Sequence, residues 1–300
     1  MLLKPDYAKA HYNLGGALQE IGQLDASVKS YESAIALEPE NAEALNNLGN
    51  VLRELDQLDA AINSYEKAIV INPDYVEAHY SLGLIFQDLG QLENTVNSYK
   101  QVVAIKPDFA GMHNNLGNVY RELGELDAAL KSYKKAIAIK PDFVEAFFNQ
   151  GITFQAQNQL DSAVKSYEEV ISIKPDYAEA HNNLGTIFAE LKQFKNAEET
   201  FKQAILLNPK YAGAHYNLGN TLKDLRKIYE AEESFRKAIV INPNYTEAHN
   251  NLGNIMKSHD RLEDAEASYR KAIAINPDYA EAHNNLGNIM KSHDILEDAE

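Results

Sequence analysis

Asparagine recurs along this chain at a step of 34 residues, at Asn13, Asn47, Asn115, Asn149, Asn183, Asn217, Asn251 and Asn285, with Ser81 in the one gap. A carboxamide carries a donor and an acceptor together, the pair that a peptide backbone presents, and asparagine is a mediocre helix former, so repeating it implies a use. Three residues further on stand Asn50, Asn118, Asn220, Asn254 and Asn288. One residue before the first series, Tyr12, Tyr80, Phe148 and Tyr216 alternate with Asn46, Asn114, Asn182 and Asn250. The amides are expected to hold the main chain of an extended peptide, and the rings to form side-chain pockets. In the competing readings the amides bond to one another between repeats and the rings rest on a neighbouring helix.

Other candidate chemistry is weaker. His11, His79, His113, His181, His215, His249 and His283 repeat in the same register. Residues one helix spacing apart cannot share an ion whose bonds are about 2 Å, so these rings are expected at interfaces and no metal site is assigned. A broken basic line (Arg53, Arg121, Lys223, Lys257, Lys291) has acids such as Glu54 and Glu122 beside it and reads as solvated charge. There is no Gly-rich phosphate loop, nucleophile elbow or His-Glu-x-x-His helix, so neither enzymatic activity nor a cofactor is expected.

The elements that carry these residues are set by proline. All nine prolines, at 5, 39, 73, 107, 141, 175, 209, 243 and 277, share the 34-residue step, and proline ends helices. They bound units 5–38, 39–72, 73–106, 107–140, 141–174, 175–208, 209–242, 243–276 and an incomplete 277–300. Pairs such as Asp74/Glu77 and Asp142/Glu145 read as capping boxes that open a first helix, A, just after each proline. Its buried stripe is read as Leu45, Leu48, Gly49 and Leu52 in one unit and His113, Leu116, Gly117 and Tyr120 in another. A mid-helix glycine recurs in every unit, from Gly15 to Gly287, and is expected where a neighbouring backbone comes close. Gly22, Asp56, Gly90, Gly124, Asn158, Asp260 and Asp294 tolerate a left-handed turn and should end helix A. Helix B then buries positions such as Leu58, Ala61, Tyr65, Ala68 and Ile69.

The Leu-Gly pair, the recurring alanine, the Tyr or Phe on helix B and the closing proline resemble the tetratricopeptide repeat over essentially the whole chain. The tryptophan often found on helix A is replaced by His, Leu or Phe. The resemblance implies an all-α, right-handed superhelical solenoid of antiparallel helix pairs, with the A helices lining a concave groove and the stability coming from neighbouring repeats. The asparagine series resembles the ladder in the repeat domain of protein O-linked N-acetylglucosaminyltransferases, where groove asparagines hold a substrate's main chain independently of its sequence. The resemblance gives that role to the eight asparagines of the first series; Asn50, Asn118, Asn220 and Asn254, and the rings of Tyr12, Tyr80, Phe148 and Tyr216, are expected beside them from their own spacing on helix A.

Composition narrows the partners. The formal net charge of -16 disfavours phosphate backbones and anionic lipid, and no stretch is apolar enough for a signal peptide or a membrane helix, so a cytoplasmic protein is expected. With no cysteine, thiolate chemistry is excluded. Residues 244–266 and 278–300 differ at three positions, and Met1–Lys4 read as the tail of a preceding helix, which suggests a segment of a longer array. Three functions remain open: a non-catalytic scaffold holding an extended peptide, the substrate-recognition module of a larger glycosyltransferase-like enzyme, and a solenoid that forms homo-oligomers through uncapped ends.

Overall fold

The computed structural model describes residues 7–297, with the side chains of 7–291. Every regular element among them is a helix: α1 (Ala8–Glu20), α2 (Leu24–Leu37), α3 (Ala42–Glu54), α4 (Leu58–Ile71), α5 (Val76–Asp88), α6 (Leu92–Ile105), α7 (Ala110–Glu122), α8 (Leu126–Ile139) and α9 (Val144–Ala156). The series continues with α10 (Leu160–Ile173), α11 (Ala178–Glu190), α12 (Phe194–Leu207), α13 (Ala212–Asp224), α14 (Ile228–Ile241), α15 (Thr246–Ser258), α16 (Leu262–Ile275) and α17 (Ala280–Glu297). Odd-numbered helices are the A helices and even-numbered ones the B helices, so the chain is an all-α repeat of antiparallel pairs. It divides into two compact units, residues 1–153 and 154–300, with the boundary inside α9. No described helix is long and apolar enough to cross a membrane.

Each hairpin closes on a left-handed residue after helix A. At Asp56 (φ 58°) the backbone N–H bonds to Arg53 O at 3.0 Å and that of Gln57 to Leu52 O at 2.8 Å, the paired bonds of a Schellman cap. Lys192 (φ 59°) and Arg226 (φ 60°) take the same conformation, so the turn is imposed even where the residue type does not favour it. The expected turn at Asp294 is absent, because α17 runs on to Glu297. There a Cβ on Gly287 would meet nothing within 4 Å among the described residues.

Helix A does not begin with the expected capping box. Proline and the residue after it lie in a turn closed by bonds such as Tyr75 N–H to Asn72 O (3.1 Å) and Tyr211 N–H to Asn208 O (3.0 Å). Where asparagine precedes proline, its Oδ1 accepts from the residue after proline, as in Asp74 N–H to Asn72 at 3.2 Å. Only the backbone N–H of that residue is thereby engaged, and the helix starts two residues later at an aromatic N-cap in most hairpins; Asn41, whose Oδ1 accepts from Ala44 N–H at 2.9 Å, does cap by side chain. The recurring histidine ties turn to helix, with Nε2 at 2.8 Å from Pro73 O for His79 and at 2.9 Å from Pro107 O for His113.

The repeated glycine makes room for a ring rather than a backbone. A Cβ on Gly49 would lie 2.6 Å from the Tyr65 ring and one on Gly219 2.7 Å from Phe235, both rings being fully buried on helix B of the same hairpin. Tyr31, Tyr65, Tyr99 and Tyr133 in the first unit, and Tyr167, Phe201, Phe235 and Tyr269 in the second, form the central row of the core. Burying a ring of that size gains several times the ~1 kcal/mol that a mid-helix glycine costs. Within each unit the A helices also touch the A helices of the next hairpin, as in α3 with α5 and α11 with α13. The A faces therefore lie side by side.

Candidate functional site: an amide band across the A helices

The first asparagine series falls on the A faces. Asn13 is exposed, while Asn47, Asn115, Asn149, Asn183, Asn217, Asn251 and Asn285 are half-buried. In six of the eight, Nδ2 is engaged. Asn149 donates to Asn114 Oδ1 (3.1 Å), Asn217 to Asn182 Oδ1 (3.1 Å) and Asn285 to Asn250 Oδ1 (3.0 Å), each across one repeat to the preceding hairpin. Opposite two of the tyrosines of the preceding hairpin the same group donates to the hydroxyl: Asn47 to Tyr12 (2.9 Å) and Asn251 to Tyr216 (3.3 Å). Asn251 and Asn285 also reach the Oδ1 atoms of Asn220 (2.9 Å) and Asn254 (3.1 Å). Asn183 donates instead to the Tyr167 hydroxyl at 3.3 Å. Asn13 and Asn115 make no such bond among the described residues.

The acceptors Asn46, Asn114, Asn182 and Asn250 are the residues that sequence reasoning passed over as site members; all four are buried. The signal was present, since a carboxamide in the position that carries an aromatic ring in the alternate repeats must be satisfied somewhere. The exception is Asn46, whose Oδ1 is buried without a partner. The following hairpin has Ser81 in place of the donating asparagine, and its hydroxyl turns to Tyr65 instead.

The second amide series serves the core as well as the face. The hydroxyls of Tyr65, Tyr133 and Tyr269 donate to the Oδ1 atoms of Asn50, Asn118 and Asn254, each at 2.8 Å. Asn220, opposite the hydroxyl-free Phe235, accepts from Asn251 instead. The acceptors of Asn50, Asn118, Asn220 and Asn254 are thus used within the chain, although all four side chains remain half-buried.

The rings rest on the core row of their own hairpins and stay half-exposed. Tyr12 meets Tyr31 edge-on at 5.8 Å, Tyr80 stacks on Tyr99 at 6.1 Å, and Tyr216 packs on Phe235 at 5.9 Å and on Tyr245 at 4.8 Å. Phe148 is half-buried on α9. The Tyr12 hydroxyl, which accepts from Asn47, donates in turn to Glu43 Oε1 at 2.6 Å. Burial, and after it the Glu43 carboxylate, push its pKa up, so the hydroxyl keeps its proton. Among the described residues no group of histidines and carboxylates is placed to hold a metal ion.

Solved structures with the same fold include YrrB, a TPR protein with an unusual peptide-binding site (TM-score 0.53, 23% identity, over 62% of this chain and 96% of that one). MamA is similar at TM-score 0.52 and 26% identity over 57% of this chain and 94% of that one. The APC/C hetero-tetramer Cut9-Hcn1 is similar at TM-score 0.57 and 15% identity over 89% of this chain and 52% of that one. No curated protein sequence matches the chain. One TPR repeat family model matches residues 17–56, 49–90, 83–121, 117–158, 153–192 and 258–293. Two further tetratricopeptide repeat models match 178–211 with 212–245, and 234–267. With the glycine-on-aromatic hairpin repeated through both units and these matches running from residue 17 to residue 293, the chain belongs to the tetratricopeptide repeat family.

Proposed function

We propose that the A faces form a protein-binding surface that takes an extended peptide along the amide band, and that the chain acts as a non-catalytic scaffold. One observation carries this reading: in the second unit Asn217, Asn251 and Asn285 are half-exposed, each held by Nδ2 bonds, and their Oδ1 atoms have no partner among the described residues. A fixed row of acceptors lowers the ordering cost of binding, and peptide N–H groups supply the donors. The spacing suits it, because packed helices lie about 8–10 Å apart and an extended chain rises about 3.3 Å per residue, giving one amide per three residues or so. YrrB, described as having a peptide-binding site, lends support from within the same fold.

The test uses Asn13 and Asn115, the two asparagines of the series whose side chains bond to nothing among the described residues. Peptides selected from a random linear library should bind Asn13→Ala and Asn115→Ala more weakly than the parent, with thermal unfolding unchanged or slightly raised. Equal affinity for parent and variants, or selected peptides that crosslink to the B helices, would remove the reading.

A further inference from the structure

We infer that the band in the first unit is built for a cationic peptide, one with Lys or Arg at several positions; this rests on the peptide-binding reading and adds the partner's chemistry. The band lies between two acidic edges. Glu43 and Glu77 sit in the first turns of α3 and α5, and Glu54, Asp88 and Glu122 close α3, α5 and α7; all five are exposed. Eleven residues of helix separate the two edges, about 16 Å at 1.5 Å per residue. Side chains of an extended chain alternate in direction, so successive residues reach opposite edges.

These carboxylates are not neutralised from within. Among the described residues their one ion pair is Glu77 with Lys106, at 3.9 Å between two exposed side chains; Glu43, Glu54, Asp88 and Glu122 have no cationic partner there. Of the adjacent cations, Arg121 and Arg53 lie near the Tyr133 and Tyr65 hydroxyls, where they partly offset the rise that burial gives those pKa values, and neither makes an ion pair with an edge carboxylate among the described residues; Lys9, exposed in the first turn of α1, is the one cation at the first edge. At the first edge a cavity of about 1040 Å³ is lined by Glu38, Glu40, Glu43 and Glu77 around Tyr75, with no basic residue in its wall. Burial, then Glu43 and Glu77, push the Tyr75 hydroxyl up to about 12.

A second observation, independent of the charge, points to a missing donor. Asn46 is 5% exposed and its Oδ1 has no partner. The same atom in Asn114 receives the hydrogen of a half-exposed asparagine on the A face of the next hairpin, so the Asn46 oxygen is directed to the band, one turn of α3 beyond Glu43. The chain offers Ser81 there, and a donor-rich ligand supplies what Ser81 lacks.

The test measures fluorescence anisotropy with three labelled peptides of Lys-Ser-Gly, Gln-Ser-Gly or Glu-Ser-Gly repeats on the full chain. The expected order is Lys tightest and Glu weakest, about tenfold or more between Lys and Gln at low salt and shrinking as the Debye length falls from ~10 Å at 0.1 M to ~3 Å at 1 M. Neutralising Glu54→Gln, Asp88→Asn and Glu122→Gln together should abolish the Lys preference while Gln-peptide binding persists. Equal binding of Lys and Gln peptides that Asn13→Ala with Asn115→Ala weakens would overturn the charge inference and leave the groove reading standing. A Lys preference that the neutralised variant loses but the asparagine variants leave untouched would keep the cationic partner and remove the amide band from its recognition. No binding of any peptide overturns both.

Discussion

Asn217 donates through Nδ2 to Oδ1 of Asn182 across 3.1 Å, on the preceding hairpin and thirty-five residues away in sequence. Asn182 is buried, so its oxygen has no water to fall back on. Asn217→Ala should therefore cost about 1–3 kcal/mol, the price of an orphaned buried acceptor. Asn115→Ala, which breaks no such bond, should stay within about 0.5 kcal/mol of the parent. Urea unfolding of the two variants separates a linking role from a free face, and equal effects would mean that the cross-hairpin bond contributes nothing.

Ser81→Asn supplies the donor that Asn46 lacks. The register of Asn149 on Asn114 places the new carboxamide against the orphan oxygen, and one satisfied buried hydrogen bond is worth about 1 kcal/mol net. A higher unfolding midpoint is expected for Ser81→Asn, with Ser81→Ala as the control that removes the hydroxyl without adding a donor. A midpoint below that of the alanine variant would show that the joint has no room.

Glycine on helix A has opposite predicted effects at two equivalent positions. At Gly219 an added Cβ would sit 2.7 Å from the buried Phe235 ring, so Gly219→Ala should destabilise by about 1–3 kcal/mol through overpacking. At Gly287 the same atom meets nothing within 4 Å among the described residues, so Gly287→Ala should stabilise by up to about 1 kcal/mol through helix propensity. Destabilisation of similar size at both sites would exclude the ring as the cause.

Arg226 holds φ at 60° although it is not glycine, and left-handed backbone costs an L-residue about 1–2 kcal/mol. Arg226→Gly removes that strain, offset in part by a more flexible unfolded chain, for a net gain of up to about 1 kcal/mol. The turn carries no buried side chain to lose, so a loss of stability in thermal unfolding would contradict the assignment of strain.

Periodicity made the hairpins, their core row and the A face legible. Proline placed the breaks, and the stripe through Leu45, Leu48 and Leu52 is buried as its spacing implied. What sequence did not convey was who satisfies whom. The acid after proline looked like a helix cap but sits in a turn one residue ahead of the N-cap, because Tyr75 N–H closes back on Asn72 before the helix begins. Asn50 looked like a free groove amide, yet its oxygen takes the Tyr65 hydrogen from a helix B residue fifteen positions on. Helical spacing fixes the face on which a side chain lies, whereas its hydrogen-bond partner depends on a neighbouring helix whose approach no local pattern encodes.

His215 gives the second unit a pH dependence whose direction follows from its surroundings. Burial holds its imidazole below the usual value; the Pro209 carbonyl, 3.2 Å from Nε2, works the other way, and the Lys237 ammonium lowers it further. With the folded pKa depressed, the unfolded chain takes up a proton more readily than the folded one once the pH drops below about 6.5. The contribution of neutral His215 is thus complete above that value and is lost as the pH falls through the lower, folded pKa. Urea midpoints measured between about pH 7.5 and pH 5.5 should fall with acidification, and His215→Gln, which cannot take up that proton, should flatten the decline. Identical slopes for the two proteins would place the acid sensitivity elsewhere than at this ring.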